Sequence, residues 1–467
     1  MSSGHLNQYD LVVIGSGAAG HHGAIQAAKL GKRVLVVEQA STAGGATINT
    51  GTIPSKTLRE VAIRSAGFQS HGHSPQMRDL ASRIEEVTAT ESRVFIDQFQ
   101  RNGVSLITGK ASFLGTHALR IECDGTEHVC TGTRILIATG SRPAHSEAIP
   151  VDGRDILDTD TIRNAPARRK FVTIVGGGVI GIEYACIASA LGASVTLIER
   201  RSRILDFVDD QIAEALSYRM RSQGGTFRLG EEVEGVTRSP EGRICALLKS
   251  GKQVWSDALL YAVGRQANTD SLNLSACGLA ADSRGRIPVN ERFQTSQTHI
   301  YAAGDVIGFP SLASVSMEQG RVAVCHAFNE PVVSIPELFP YGIYSIPEIS
   351  FVGQTEAQLT AQSIPYEIGV AHYREIARGQ ILNDTTGLLK LLFHRESRKL
   401  LGVHIVGEGA TELIHIGQTA LAFEGTIDFF VRTVFNYPTL AECYKVAALN
   451  GLNRLHLSAA GRAISVA

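Results

Sequence analysis

The stretch Tyr9-Asp10-Leu11-Val12-Val13-Ile14-Gly15-Ser16-Gly17-Ala18-Ala19-Gly20 decides the architecture. Its first six residues form a short, largely apolar run with β-branched residues at its end, which suits a strand buried on both faces, and the glycines follow at once. Gly15 permits a tight turn, Gly17 lets backbone approach a pyrophosphate, and Gly20 lets the next helix pack close to the strand. A helix from Ala18 to about Leu30 then points unpaired N–H groups and a partial positive charge at phosphate. The next strand, Arg33-Val34-Leu35-Val36-Val37, ends at Glu38, the spacing at which an acid accepts hydrogen bonds from a ribose diol. Strand, glycines, helix, second strand and terminal acid together point to a bound dinucleotide rather than to a bare glycine-rich turn.

Every part recurs downstream. Phe171-Val172-Thr173-Ile174-Val175 precedes Gly176, Gly178 and Gly181, a helix runs through Leu191, and Ser194-Val195-Thr196-Leu197-Ile198 ends at Glu199. Two dinucleotides are implied, and the fold class is α/β with two Rossmann-like domains. Glu199 suits the 2′-OH of NAD, whereas Arg200, Arg201 and Arg203 lie where guanidinium groups meet a 2′-phosphate; the same cluster also reads as a solvated turn.

Length and charge fit an enzyme of about three domains: 467 residues, with Lys+Arg 44 against Asp+Glu 45 for a formal net charge of -1. No basic field favours nucleic acid or an anionic membrane. Met1-Ser2-Ser3-Gly4-His5-Leu6 has neither a cationic region nor an apolar core, and no run of 18 apolar residues occurs, so the expectation is a cytoplasmic protein without a membrane segment. The seven cysteines are scattered without a CxxC pair and read as small buried or half-buried residues; Cys123 and Cys130 flank a turn at Asp124-Gly125-Thr126 in an expected hairpin. His21-His22 beside the first glycine loop have no zinc spacing, and no metal is expected.

Four segments follow. Residues 1–148 hold the first nucleotide unit and a long helix from about Gln76 to Gly103; 149–277 hold the second unit; 278–345 return to strand and turn chemistry; 346–467 form a strand-rich segment with two helices. Insertion of one nucleotide domain into another explains the order.

Further motifs give a resemblance. Gly44-Gly45, Gly51-Thr52-Ile53-Pro54-Ser55-Lys56, Ala138-Thr139-Gly140-Ser141-Arg142-Pro143, Ile182-Glu183-Tyr184-Ala185, Gly264-Arg265-Gln266-Ala267-Asn268-Thr269 and Tyr301-Ala302-Ala303-Gly304-Asp305 resemble the flavoprotein family of lipoamide dehydrogenase and glutathione reductase over nearly the whole chain. Tyr344-Ser345-Ile346-Pro347-Glu348-Ile349-Ser350, Phe435-Asn436-Tyr437-Pro438-Thr439 and Ala447 to Leu455 are most similar to its soluble pyridine nucleotide transhydrogenase branch. The resemblance implies FAD-binding parts at 1–148 and 278–345, an NAD(P)-binding domain at 149–277, and a dimer-interface domain at 346–467, hence a homodimer or higher oligomer. It assigns Gly15, Gly17, Gly20, Glu38, Gly45, Thr52, Lys56, Gly140, Gly304, Asp305 and Ala313 to FAD. Gly176, Gly178, Gly181, Glu199, Arg200, Arg201 and Gly264 fall to NAD(P). Lys56, with Glu183, is implied at the flavin N5, where a fixed cation favours the anionic reduced ring. Asp305 is implied on the ribityl chain. The segment Pro310-Ser311-Leu312-Ala313-Ser314 reads as a helix start with Ser311 as cap, its dipole aimed at the pyrimidine edge.

The departures carry the functional expectation. The positions of the reductases' redox cysteines hold Thr47 and Thr52, and a hydroxyl forms neither a disulfide nor a thiolate. Some transhydrogenases keep the first cysteine, so Thr47 departs even from them. The reductases' His-Pro-Thr segment reads Tyr437-Pro438-Thr439 here, and a phenol with a pKa near ~10 is a poor proton shuttle at neutral pH, although Tyr437 is equally readable as an interface residue. The implied activity is ping-pong hydride transfer from NADPH to FAD and on to NAD+, reversibly, without a disulfide. Two alternatives stay open: a thiol-free NAD(P)H diaphorase or quinone reductase, and a catalytically idle flavoprotein acting as a binding or redox-sensing subunit.

Overall fold

A computed structural model describes residues 4–69, 77–162, 169–332 and 338–465. The chain forms two compact units: 1–147, 151–167 and 264–335 make the first, and 148–150, 168–263 and 336–467 the second.

The first unit is built on a seven-stranded sheet. Strand Gly4–Ile14 lies between Val34–Glu38 and Thr126–Ile137, parallel to both. Strand Ser105–Thr108 extends one side; Thr126–Ile137 pairs antiparallel with Ala118–Cys123 along its first half and parallel with Ile300–Ala302 at its end. Side chains alternate across a strand, so Leu11 and Val13 enter one core with Val34, Val36 and Leu136, whereas Val12 and Ile14 enter another with Leu35, Val37 and Ile135. Burial of both faces explains the apolar runs of the sequence. The first core is covered by helix Ala18–Lys29, which packs against helix Ala313–Ala327, and Phe99 of helix Met77–Arg101 is buried in it. The expected start of that last helix at Gln76 lies outside the described residues.

The second unit repeats the plan. Strands Thr226–Leu229, Ser194–Glu199, Phe171–Val175 and Ala258–Tyr261 run parallel in that order, with helix Val179–Ala190 following the glycine turn. The same unit holds a five-stranded antiparallel sheet ordered Tyr341–Ile343, Ile349–Gly353, Leu400–Val406, Leu388–His394, Tyr366–His372. Helices Ala410–Ala422 and Glu442–Ser465 pack on it.

Two expectations are corrected. The region after 346 has five α-helices among the described residues, not two: Glu356–Ala361, Ala377–Leu382 and Ile427–Arg432 are six residues each, too short for a helical period to be read. Ser311 does not cap the helix after it. That helix starts at Ala313 with Leu312 at the N-cap and no side-chain cap, while the Ser311 hydroxyl donates to Gly308 O at 3.3 Å.

The hairpin of Cys123 and Cys130 is present, and all seven cysteines are free, six buried and Cys123 half-buried. No helix of the described residues is long and apolar enough to cross a membrane.

Candidate functional site

Each nucleotide fingerprint folds into the same small device. In the first, Gly15 takes φ +102°, and a Cβ there would lie 2.4 Å from Ala138 O; a Cβ on Gly20 would lie 1.9 Å from Gly15 O. In the second, Gly176 takes φ +112° with Ala262 O at 2.4 Å from its hypothetical Cβ, and Gly181 stands 1.9 Å from Gly176 O by the same measure. The outer glycines are thus compelled by backbone contact. The middle ones are not: Gly178 has nothing within 4 Å of a built Cβ, and Gly17 only Gly45 Cα at 3.8 Å.

Room above the middle glycine, at the start of a helix, is what a pyrophosphate needs. Helices Ala18–Lys29 and Val179–Ala190 each begin with a glycine N-cap, no side-chain cap and no acid in the first turn, so nothing built into either helix competes with an anion.

The acids at the strand ends are aimed by the turns themselves. Glu38 Oε2 accepts hydrogen bonds from Ser16 N–H at 2.9 Å and Ser16 Oγ–H at 2.6 Å, and its Oε1 accepts Ala40 N–H at 2.9 Å. Ser16 Oγ in turn accepts Gly44 N–H at 3.0 Å, which ties the Gly44-Gly45 turn to the first fingerprint. In the second unit Glu199 Oε2 accepts Gly177 N–H at 2.6 Å. Burial works to raise the Glu199 carboxyl pKa, but the Arg201 hydrogen bonds, the Gly177 N–H and the Arg201 charge outweigh it and hold the group below its ordinary value.

The three arginines separate. Arg201 Nε donates to Glu199 Oε1 at 2.9 Å and its Nη1 to Asp206 at 2.5 Å, while Arg203 pairs with Asp210 and the Asp206 carbonyl. Arg200 is exposed and makes no hydrogen bond or ion pair among the described residues.

Around the first cradle, Asp305 follows strand Ile300–Ala302 at a turn where Gly304 takes φ +81° and donates to Gln319 Oε1 at 2.8 Å. Its Oδ2 accepts Ser141 Oγ–H at 2.6 Å, and Arg265 Nε lies 3.8 Å from it while donating to Ser141 Oγ at 2.7 Å. Gly140, φ +65°, accepts Asn268 N–H at 3.0 Å, and strand Arg265–Ala267 after Gly264 pairs with Ser141–Pro143. These contacts fix the Asp305 carboxylate. Ser16, Ser141 and Arg265 were not singled out as site residues by the sequence, which gives no signal for second partners of an acid.

Thr47 lies in helix Gly45–Asn49 and Thr52 opens helix Thr52–Gln69, both half-buried. Lys56 stands one turn further, half-buried, with Nζ 3.3 Å from the buried Ser55 hydroxyl. Glu183 belongs to the second unit: it is 4% exposed, and its Oε1 accepts Tyr344 N–H at 2.8 Å. His21 is a core residue, its ring stacked on Phe95 with centroids 3.9 Å apart, and burial pushes it down to about 4, so it stays neutral. Burial likewise raises the Cys130 thiol to about 11 and Cys443 to about 12, and also raises Cys123, Cys277 and Cys325.

The chain is similar to known proteins over nearly its whole length. Residues 9–320 match the model of the pyridine nucleotide-disulphide oxidoreductases, and 339–448 match the dimerisation domain of the same group. A soluble pyridine nucleotide transhydrogenase of Mycobacterium bovis is 48% identical, over 96% of this chain and 98% of that protein. One of Escherichia coli is 44% identical, over 97% of this chain and 99% of its own. Among solved structures, a Cu(II) complex of the HOCl-induced flavoprotein disulfide reductase RclA from Escherichia coli superposes with a TM-score of 0.88 at 27% identity, covering 95% of this chain and 99% of that one. LpdA from Mycobacterium tuberculosis gives a TM-score of 0.87 at 26% identity, with coverage of 95% and 99%.

Proposed function

The chain belongs to the pyridine nucleotide-disulphide oxidoreductase family, and on that premise we propose that it moves hydride reversibly between NADPH and NAD+ through bound FAD, in ping-pong order and without a redox disulfide. The observation that carries this reading is two equivalently built dinucleotide cradles in a chain with Thr47 and Thr52 where a dithiol would stand. The transhydrogenase relatives support it.

Bound FAD supplies the hydride-accepting and hydride-donating chemistry. The protein supplies binding, orientation and charge. Gly15, Gly17 and Gly20 receive the FAD pyrophosphate, Glu38 the adenosine ribose, and Asp305, braced by Ser141 and Arg265, the ribityl chain. Gly45, Thr52, Gly140 and Gly304 shape the same cradle. Lys56 supplies a fixed cation beside the flavin, and the uncapped helix that opens at Ala313 supplies partial positive charge. Gly176, Gly178 and Gly181 receive the pyrophosphate of either nicotinamide nucleotide. The resemblance assigns Glu183 to the flavin N5; within its own unit its Oε1 accepts the Tyr344 N–H at 2.8 Å.

Choice between nucleotides falls to Glu199 and Arg200. Glu199 offers oxygens to the 2′-OH of NAD(H); Arg200, with its guanidinium uncommitted among the described residues, meets the 2′-phosphate of NADP(H), while Arg201 chiefly orders Glu199. A charge-assisted hydrogen bond contributes about 1.5–3 kcal/mol. Arg200→Ala is therefore expected to raise KM for NADPH by about tenfold or more and leave KM for NADH within about twofold. Equal losses for the two would remove Arg200 from the discrimination.

The active form is a homodimer through the 339–448 domain, where Phe423, Val434 and Tyr437 are 83%, 90% and 69% exposed in a single chain. Tyr437 in place of an imidazole costs nothing where no thiol needs a proton. With six of the seven cysteines buried and the thiol of the half-buried Cys123 raised by burial, N-ethylmaleimide applied to the folded holoenzyme is expected to change the rate by less than about twofold. Loss of activity matched to alkylation of one cysteine would return a thiol to the mechanism. Initial rates with NADPH and thio-NAD+ varied together test the kinetic order: parallel double-reciprocal lines are expected, and intersecting lines would require both nucleotides to be bound at once.

A further inference from the structure

Strand Leu388–His394 carries a lysine inside an apolar run. Lys390 is 0% exposed, as are Leu389 and Leu391 beside it. Burying an ammonium is costly unless carboxylates neutralise it, and two do. Lys390 Nζ donates to Asp209 Oδ1 at 2.8 Å and to the Glu356 carboxylate. Its cross-strand neighbour His404 adds no charge, since burial lowers its pKa; the His404 Nε2 lies 2.9 Å from Gln354 O.

Asp209 is itself only 2% exposed and caps helix Asp210–Ser222, accepting Gln211 N–H at 3.2 Å. It also ends the segment 200–209 that begins, straight after Glu199, with Arg200. Besides the Arg201 contacts with Glu199, that segment is held at three further points. Toward the nucleotide turn, Leu205 N–H donates to Gly177 O at 3.1 Å. Toward the antiparallel sheet, the Phe207 ring meets Tyr341 and Phe351 with centroids 5.6 and 6.1 Å away, and Asp209 meets Lys390. Tyr341, Phe351, Glu356 and Lys390 all fall in the span matched by the dimerisation domain. Glu199, by contrast, is on a sheet strand and held by Gly177, so its position does not depend on that far fastening.

We propose that Lys390 is a positioning residue for NADP(H) against NAD(H): by holding Asp209 it fixes the segment 200–209 and with it the placement of Arg200. A residue of the dimerisation domain thereby sets nucleotide preference without touching either nucleotide. The inference rests on the assignment of Glu199 and Arg200 above.

The test is binding of NADP+ and NAD+ to the FAD-loaded full-length chain by calorimetry, for wild type, Lys390→Met and Asp209→Asn. The second variant keeps a good N-cap while removing the charge, which guards against a simple failure to fold. In both variants Kd for NADP+ is expected to rise by about tenfold while Kd for NAD+ stays within about twofold, the loss of one charge-assisted contact. Equal weakening of both nucleotides, or no change in either, in well-folded variants with full flavin would overturn the proposal. Because binding is read and not turnover, a chain that shows the selective loss yet makes no thio-NADH would sink the transhydrogenase reading and leave this inference standing. A wild-type chain that binds no NADP+ would overturn both.

Discussion

Gly178→Glu is expected to give a folded, yellow protein whose flavin neither NADPH nor NADH reduces. Gly178 has φ -82°, which any residue adopts, and a Cβ there meets nothing within 4 Å, so the turn and helix Val179–Ala190 tolerate the side chain. What it fills is the space at the helix N-terminus. A carboxylate about 4 Å from a phosphate repels it by roughly 4 kcal/mol at an effective dielectric near 20. That energy corresponds to a loss of about a thousandfold in affinity for both nucleotides. Titration of each nucleotide alongside the flavin absorbance measures it. A variant that still binds NADPH with wild-type affinity would show that the pyrophosphate sits elsewhere.

Gly20→Ala is expected to fail differently, by losing the flavin altogether. A methyl group there would lie 1.9 Å from Gly15 O and 3.2 Å from Val13 Cγ1. Gly15 O is backbone and cannot yield without moving the glycine turn. Helix Ala18–Lys29 must then lift from the sheet, and its other face has no slack, because a Cβ on Gly320 of the adjacent helix would already stand 2.0 Å from Ala19 O. Overpacking of this kind costs about 1–3 kcal/mol in stability, and the displaced N–H groups no longer converge on the pyrophosphate. The expected product is colourless, inactive protein that added FAD does not restore. Gly17→Ala, with 3.8 Å of clearance to Gly45 Cα, is the control for folding. Full flavin content in Gly20→Ala would refute the packing argument.

The glycine turns were legible because their constraint is local. φ beyond +100° at Gly15 and Gly176 and the helix approach at Gly20 and Gly181 are written within one six-residue fingerprint each. The apolar strands were legible for the same reason. Gly320 was not: a lone glycine in helix Ala313–Ala327 looks like any other until Ala19 is brought against it from some 300 residues away. The helix start after Pro310 was legible but its cap was not, because a serine after proline resembles a cap, whereas this helix has no side-chain cap at all.

The arginine cluster was half legible. Sequence puts Arg200, Arg201 and Arg203 together after Glu199, but Asp206 and Asp210 lie close enough along the chain to engage two of the three, and only the fold sorts them. Lys390 had no readable signal. Within Leu-Leu-Lys-Leu-Leu-Phe-His, strand alternation gives it a face but not the carboxylates on other elements that neutralise it.

The central claim is that electrons leave the flavin for a second pyridine nucleotide without passing through thiols. Anaerobic mixing of the FAD-loaded protein, alkylated beforehand, with NADPH and thio-NAD+ tests it most directly, with a quinone in place of thio-NAD+ in a parallel sample. Rapid thio-NADH formation, undiminished by alkylation, is the predicted result. A flavin that NADPH bleaches but that turns over only with the quinone would contradict the claim and make the protein a diaphorase.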